Sequence, residues 1–418
     1  GTYTLTASIT GYEPQKRHIT IREDQSLTVN FRLVESQHQL EEVIVSAGRT
    51  RETIDQIPSS VTVVGLKALQ DNLNITTNIA TILENRVPGL APSSGLSSNF
   101  GQTLRGRSLL IMVDGVPQTT PLRNGAMDLR ALDPAVIERI EVVKGATAIY
   151  GNGAAGGLIN YFTRTEKTGK LFNSHTSVGA TGSLVKKANS TGARVSQMLF
   201  GDKGKWNYVV SGVYEQTGEL KDAKGDVLPP VYGLGETDSY NAFAKLGYDI
   251  NDNHKVQATY NFYSSKQTTN YTTVNGDYAA GKKTSATPGE FKGVPQGVKG
   301  NHNLNLVFSG ETGVANTHYD ADIYYQSVDN VFFYSESFVN GGISRILSKK
   351  HGARLVFNTP FSSTNFDANL TYGIDAQRDI TSQPLVDGRI WVPEMNMKNI
   401  APFIQTRFTF FDKLILKG

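Results

Sequence analysis

From Tyr240 onward, apolar and polar residues take turns along the chain. Tyr240, Ala242, Ala244, Leu246, Tyr248 and Ile250 fall on one side of the alternation; Asn241, Lys245 and Asp249 fall on the other, with Phe243 interrupting the polar set. Val256, Ala258, Tyr260 and Phe262 oppose Lys255, Gln257, Thr259 and Asn261. His302, Leu304, Leu306 and Phe308 oppose Asn301, Asn303 and Asn305. Phe366, Ala368, Leu370, Tyr372 and Ile374 oppose Asp367, Asn369, Thr371 and Asp375. A period of two puts successive side chains on opposite faces of a strand. Strands of about ten residues, apolar on one face and polar on the other, suit a barrel wall with lipid outside and water inside. A soluble antiparallel sandwich also alternates, but its strands usually stop at about five or six residues.

The connections have a rhythm of their own. Short turns at Asp202-Lys203-Gly204, Asn251-Asp252-Asn253 and Phe411-Asp412-Lys413 alternate with long segments at 217–238, 267–299, 329–349 and 379–398. Short turns at one rim and long loops at the other are the habit of an outer-membrane barrel. Tyr240, Tyr248, Tyr260, Tyr372 and Trp206 are placed to form an aromatic girdle where strand ends meet the headgroups. The pattern predicts about ten strands between Leu171 and Phe411, with another beginning at Leu414-Ile415-Leu416. A plugged lumen belongs to barrels of about 22 strands, so the expectation is a wall truncated at its C-terminal side. Gly1 enters mid-strand with no signal peptide, which predicts that the first part of a domain is missing as well.

Between residues 103 and 164 the pattern changes. Thr103-Leu104-Arg105-Gly106 reads as a strand end and turn, Leu109 to Val113 as a short buried strand, and Asp114-Gly115 as a tight turn. Ile137 to Val143 is again strand-like and ends at Lys144-Gly145. Gly151 to Gly156 fits the spacing G-x-G-x-x-G. A dinucleotide site needs that cluster to open a helix, whereas here it runs into Leu158-Ile159-Asn160-Tyr161-Phe162-Thr163, a strand. The glycines are better explained by positive φ and close backbone approach. No Gly-Lys-Ser/Thr follows, so a P-loop is excluded.

The chain of 418 residues carries a net charge of +3, 41 glycines, 18 tyrosines, 19 phenylalanines and no cysteine. No apolar run approaches the roughly 20 residues of a membrane helix. The near-neutral charge gives no sign of nucleic-acid binding. The seven histidines are scattered singly, without H-E-x-x-H spacing, and no G-x-S-x-G elbow marks a nucleophile. An enzyme, a bound cofactor and a direct metal site are therefore not expected. No repeat of 20 to 50 residues suggests a solenoid or propeller.

The run from Thr103-Leu104-Arg105-Gly106 through Asp114-Gly115, Ile137–Lys144 and Gly156-Gly157-Leu158-Ile159-Asn160 resembles the plug domain of TonB-dependent outer-membrane receptors. Its wording is closer to the siderophore receptors than to glycan importers, which carry a lysine-aspartate and a serine-arginine pair where this chain has Lys144-Gly145 and Gly151-Asn152. Gln39 onward, with Glu41, Glu42, Val43, Ile44, Val45, Ser46 and Ala47, resembles the TonB box. An extended β-branched segment of this kind can add as a strand to a partner's sheet, although Glu-Val-Ile-Val-Ser also reads as an ordinary strand. Residues 1–34, with Tyr3, Leu5, Ala7, Ile9, then Ile19, Ile21, then Leu27, Val29, Phe31 and Leu33, predict three or four short strands. They resemble the end of the carboxypeptidase-regulatory-like sandwich ahead of receptors of Bacteroidetes type.

The resemblance implies a mainly β fold: a transmembrane antiparallel β-barrel of 22 strands when complete, about ten of them present, around an α+β plug and preceded by part of a small β-sandwich. Its divisions are 1–35 sandwich, 36–52 linker with the TonB box, 53–166 plug and 167–418 wall. It implies an active transporter of the Gram-negative outer membrane. The partners implied are outer-membrane lipid, a ferric siderophore bound outside, and TonB pulling from the periplasm. Ligand contacts are expected from the apical plug loops: Arg105, Gln118, Thr120, Arg123 and Asn124, with Tyr232 and Tyr271 from long wall loops. The arginines supply donor forks and the others neutral hydrogen bonds to an oxygen-rich chelate. Arg105 has the alternative of pairing with a carboxylate. Arg139, Glu141 and Lys144 are expected to make breakable polar contacts to the wall. Haem, cobalamin or a glycan as substrate, and a structural barrel without transport, stand as alternatives.

Overall fold

The structure is a computed structural model. It describes residues 1–7, 15–22, 26–32, 44–45, 49, 52–53, 57, 59–73, 75–93, 95–99, 101–118, 120, 122, 129–151, 153–290, 292–363, 366–411 and 414–418.

At the start of the chain, β1 (Thr2–Ala7) pairs antiparallel with β2 (Gln15–Thr20) from Thr2↔Thr20 to Ala7↔Gln15. Three or four strands are predicted here, and among the described residues two form. Residues 26–32 join no ladder; the Gln15 side chain holds this stretch by donating to the Arg32 carbonyl at 2.8 Å. Alternation supplies two faces, but a strand also needs a neighbour. Next come β3 (Ile44–Val45) and β4 (Glu52–Thr53), which pair antiparallel over two rungs.

The plug contains β5 (Ser60–Gly65), α1 (Leu66–Leu73), α2 (Ile79–Glu84), β6 (Thr103–Leu104), β7 (Arg107–Val113), β8 (Val116–Pro117), β9 (Ile137–Lys144) and β10 (Gly157–Thr163). Its sheet runs β5-β9-β10-β7-β6, with β8 on β7. β10 is parallel to β7 and antiparallel to β9. Ile111, Ile140, Val142 and Ile159 pack on one face against Leu69, Ile82 and Leu83 of the helices. Leu110, Met112, Val143 and Leu158 form a second cluster on the other. Both faces of β7 are covered, which is why Leu109 to Met112 reads as an unbroken apolar run. Asn78 caps α2 by accepting from the Ala80 and Thr81 amides at 2.9 and 3.4 Å.

The glycine cluster leads into a strand and not a helix, as expected. A Cβ on Gly156 would lie 2.8 Å from the carbonyls of Leu104 and Arg107, and one on Gly157 would lie 2.1 Å from the Val143 carbonyl. These glycines let three strands close on one another.

The wall follows as β11 (Asn173–Thr181), β12 (Gly192–Lys203), β13 (Trp206–Gln216), β14 (Thr237–Asn251) and β15 (His254–Gln267). β16 (Tyr271–Val274) and β17 (Ser285–Pro288) form a separate hairpin, and β18 (Gly297–Val298) pairs with Val331 and Asn330. The wall resumes with β19 (Asn301–Glu311), β20 (His318–Ser335), β21 (Gly342–Ser362), β22 (Phe366–Pro384), β23 (Ile390–Phe410) and β24 (Leu414–Lys417). Main-path neighbours are consecutive, in the order β11-β12-β13-β14-β15-β19-β20-β21-β22-β23-β24. Ten of these lie between residues 173 and 410 and β24 begins at Leu414, matching the count read from the sequence.

Two of the predicted loops are corrected. Segments 329–349 and 379–398 are mostly ladder, leaving connections of only 336–341 and 385–389, and β20 to β23 run to 18–21 residues instead of about ten. Their polar composition reflects strands stabilised by charge: Arg345 grips Asp329 with Nε at 2.7 Å and Nη2 at 2.5 Å. The long connections at 217–236 and 268–300 are present as expected.

Facing follows the alternation. On β14, Tyr240, Ala242 and Leu246 point outward while Asn241, Phe243 and Lys245 are buried inward. Phe243, the break in the pattern, packs into the plug's main core. Outward aromatics pair in two rows, Trp206 with Tyr248 at 4.4 Å and Tyr214 with Tyr240 at 5.1 Å. Tyr240 and Tyr248 are eight residues apart on one strand, about 27 Å along it; a tilt of about 40° projects this to roughly 20 Å, close to the height of an apolar membrane band.

Candidate functional site

The plug meets the wall through side chains that reach across to backbone and carboxylate oxygens. The Asp114-Gly115 turn, with φ of 46° and 81°, is one such point. Asp114 accepts from the Thr163 amide at 2.8 Å and hydroxyl at 2.5 Å. Lys245, inward on β14 and only 5% exposed, donates to the Thr163 carbonyl and hydroxyl oxygens, both at 2.9 Å, and lies 3.6 Å from Asp114. Gly115 and Pro117 offer carbonyls to Arg354 at 3.1 Å and Lys350 at 3.2 Å. Asn241 and Asn261 converge on the Ala131 carbonyl at 3.0 and 2.7 Å. Arg194 of β12 pairs with Asp133.

A second set holds the chain before the plug. Arg49 donates through Nε to the Ile149 carbonyl at 2.7 Å and reaches Asp375 with Nη1 at 3.0 Å and Nη2 at 2.5 Å. Arg354 shares Asp375 at 3.1 Å. Arg49 also lies over Phe403 at 4.0 Å and Tyr150 at 5.1 Å. Burial pushes the Tyr150 hydroxyl above its ordinary 10.0, against the pull of Arg354 and Arg49. Buried Glu52 accepts from Lys417 at 2.6 Å and faces Arg407 at 3.5 Å.

Two cavities separate plug and wall. One, about 360 Å³, is lined largely by uncharged side chains, among them Gln118, Thr120, Asn261, Asn301, Asn305 and Gln326. The Asn305 and Asn330 side-chain oxygens and those of Gln267 and Gln296 are buried without a partner. Such groups call for donors from a guest or water. The other, about 1020 Å³, is basic, with Arg49, Lys144, Lys350 and Arg354 against Asp375 and Asp379.

Of the residues expected at the ligand site, Gln118 and Thr120 are buried and line the uncharged cavity. Gln118 accepts from Gln326 at 2.7 Å and donates to the Val116 carbonyl at 3.0 Å. Tyr232 sits on a single turn whose neighbours Val231 and Gly233 line the same cavity, and its carbonyl accepts from the Ser97 amide of the plug at 2.8 Å. Tyr271 opens β16 in the neighbouring hairpin; burial and the nearby Glu219 raise its hydroxyl pKa. Arg105 stands apart in the β6–β7 turn with φ 52°, exposed, its stem against Gly89. Arg123 and Asn124 lie outside the described residues, as do 41–43 and 46–47 of the TonB-box reading; Ile44 and Val45 form β3.

Arg139, expected to reach the wall, pairs instead within the plug, with Glu141 at 2.9 Å and Glu138 at 3.4 Å, and covers Phe162 at 3.8 Å. Alternate positions on a strand share a face, so residues two apart can pair. Lys144 lines the basic cavity. Charged contacts between plug and wall come instead from Lys245, Lys350, Arg354 and Arg194, with Arg49 reaching the wall from the chain before the plug. For the four on wall strands, the signal in the sequence was a cation on the inward face of an alternating strand.

This arrangement of a mixed sheet enclosed by a consecutive antiparallel wall can be compared with known proteins. Residues 53–158 match the family model TonB-dependent Receptor Plug Domain. The chain is 31% identical over 246 residues to the rhizobactin receptor of Rhizobium meliloti, covering 58% of this chain and 33% of that protein. It is 24% identical over 426 residues to the ferric aerobactin receptor of Klebsiella pneumoniae, covering 94% and 56%. A crystal structure of a ferric enterobactin receptor mutant from Pseudomonas aeruginosa superposes with a TM-score of 0.64 at 18% identity, covering 90% of this chain and 58% of that one. That likeness shows the fold, a plug within a β-barrel wall. The chain spans a third to just over half of these curated relatives. Nothing in them supports a Bacteroidetes origin or the carboxypeptidase-regulatory-like resemblance.

Proposed function

We propose that the chain is the plug and first part of the wall of a TonB-energised outer-membrane receptor that imports a ferric siderophore. The observation that carries this reading is the seam. The plug is fixed to the wall largely by amines, guanidinium groups and amides on backbone oxygens, contacts that water can replace, with an apolar patch of Met198, Val209 and Phe243 beside them. A plug built to stay would bury more carbon; one built to be pulled needs bonds that re-form. The rhizobactin and ferric aerobactin receptor relatives support an iron chelate as the cargo.

On this reading the Glu41–Ala47 segment is the TonB box, leaving its short ladder with Glu52–Thr53 to add to TonB as a strand. Ligand bound above the plug and the box below share one two-state element. Arg105, Gln118, Thr120, Arg123, Asn124, Tyr232 and Tyr271 are the proposed contacts, with Gln118 and Thr120 in the uncharged cavity receiving neutral oxygen and amide groups. Residues 1–35 are proposed as a periplasmic sandwich, 36–52 as linker, 53–166 as plug and 167–418 as wall. No residue is assigned a catalytic role.

The test is deletion of residues 41–47 in the full-length parent protein. Uptake of radiolabelled ferric chelate should be lost while equilibrium binding at the cell surface is kept. Intact uptake would sink the transport mechanism.

A further inference from the structure

We propose that the outward face of β21, β22 and β23 holds a phosphate-bearing, acylated lipid of the outer leaflet; this rests on reading the wall as a membrane barrel.

The face is apolar for most of its height. From the short-turn rim, the outward positions of β22 are Phe366, Ala368, Leu370, Tyr372, Ile374 and Ala376, and the next is Arg378. On β23 the matching run, Phe410, Phe408, Thr406, Ile404, Pro402 and Ile400, is closed by Lys398. On β21, Phe357, Leu355 and Ala353 lead to His351 and then Lys349. The ladder puts His351 directly opposite Arg378, and Arg378 directly opposite Lys398. All four basic side chains are exposed. Thus two adjacent strands end their lipid-facing runs on cations at one rung, Arg378 and Lys398, and the third places the His351 imidazole beside them.

Their own protein does not neutralise them. Among the described residues none of the four has an acidic partner; the contact of Arg378 is donation from Nε to the Asn396 side-chain oxygen at 3.1 Å. Like charges directly opposite on neighbouring strands are destabilising. Elsewhere such groups have partners: Arg407 and Lys417, directly opposite on β23 and β24, share Glu52, Asp238 on β14 accepts from the Tyr214 hydroxyl at 3.2 Å, and His302 on β19 bonds the Tyr260 hydroxyl at 2.9 Å.

Below the cations lies a furrow of about 570 Å³, with Leu304, Ile323 and Tyr325 on one side, Ile400 on the other and Ala376 in the floor; His351, Arg378 and Lys398 stand at its head. The occupant must put an anion at headgroup depth and a hydrocarbon chain immediately beneath it. That is a phosphorylated lipid. Arginine and lysine pair with phosphate through charge-assisted hydrogen bonds, and basic side chains near a membrane surface select anionic headgroups.

Native mass spectrometry of the full-length parent protein in detergent, titrated with bis-phosphorylated or dephosphorylated lipid A, tests the site. The phosphorylated form should be retained, and the double variant Arg378→Gln, Lys398→Gln should weaken it on the order of tenfold. Lys203→Gln, at the opposite rim, should change nothing. Equal retention of the dephosphorylated lipid, or unchanged binding by the double variant, would overturn the proposal; so would displacement by millimolar inorganic phosphate, which would leave the furrow without a role. If the double variant does not assemble, salt dependence of the unmodified protein decides: retention insensitive to ionic strength rules the cations out. Ferric chelate binding by the same variants stays unchanged if only the lipid site is lost, so failure here and failure of the receptor reading remain separate results.

Discussion

Gly157 shows how one missing carbon shapes the plug. Its φ of 140° and a Val143 carbonyl 2.1 Å from where a Cβ would stand leave no room for a methyl group, whereas Gly151, at φ 95°, has open space around it. Gly151→Ala therefore meets only the left-handed backbone cost, about 1 kcal/mol. Gly157→Ala adds displacement of a neighbouring strand and should cost at least ~3 kcal/mol. Calorimetric unfolding of the full-length parent in detergent should show the plug transition much lower for Gly157→Ala than for Gly151→Ala; equal shifts would contradict this account. The glycines of this run were thus legible as a packing device, but that Gly157, just after the G-x-G-x-x-G spacing, is the least replaceable depended on Val143 of β9, which comes from elsewhere in the sequence.

At the scale of elements, charge fastens one outer loop to another. Asp222, in the loop between β13 and β14, has its carboxyl pulled down to about 2, first by the bond from Lys283 and then by the Asp226 amide. Lys283, between β16 and β17, is raised by the same pair. A depressed carboxylate lends stability above its unfolded value and loses it as pH falls through the folded one. The clip should hold at neutral pH and open between about pH 4 and pH 2; on the alkaline side it persists past the ordinary lysine value. Carboxyl NMR of Asp222 should titrate near 2, and a midpoint at the ordinary aspartate value would remove the clip. Sequence alone exposed the alternation of β14, β15, β19 and β22, because period two needs no partner. It misplaced the limits of β20 to β23 since Asp329, Arg345 and Asp379 look like loop residues until the neighbouring strand is known. It located Lys245 and Asp375 on the inward face without revealing that they serve Thr163 and Arg49, contacts 82 and 326 residues away.

For the whole molecule, the plug's grip on the wall is spread over few strong points. Lys245 is a buried cation on β14, and Lys245→Met would strip the Thr163 carbonyl of its donor while leaving the fold of the wall intact. A loss of ~2–3 kcal/mol in plug stability is expected, read as earlier protease cutting within 107–163 of the assembled protein, with the wall's heat-resistant migration on gels unchanged. Cutting at the wild-type rate would show that Lys245 is dispensable. The proposed ligand contacts were the least legible part: Gln118 and Thr120 face a cavity made in part by strands of the wall, whereas Arg105 stands apart from it.

The order β5-β9-β10-β7-β6 makes the plug's first strand its outermost one. β5 touches a single ladder, six rungs from Ser60↔Lys144 to Gly65↔Arg139, and the chain leading to it is fastened at Arg49 and Glu52. Tension arriving from the N-terminal side therefore meets those two ties and then one seam, which can part like the end slat of a blind while β9, β10 and β7 stay knit. On the proposed reading the plug yields from its edge in instalments, and what has been let out is wound back on a template that was never dismantled.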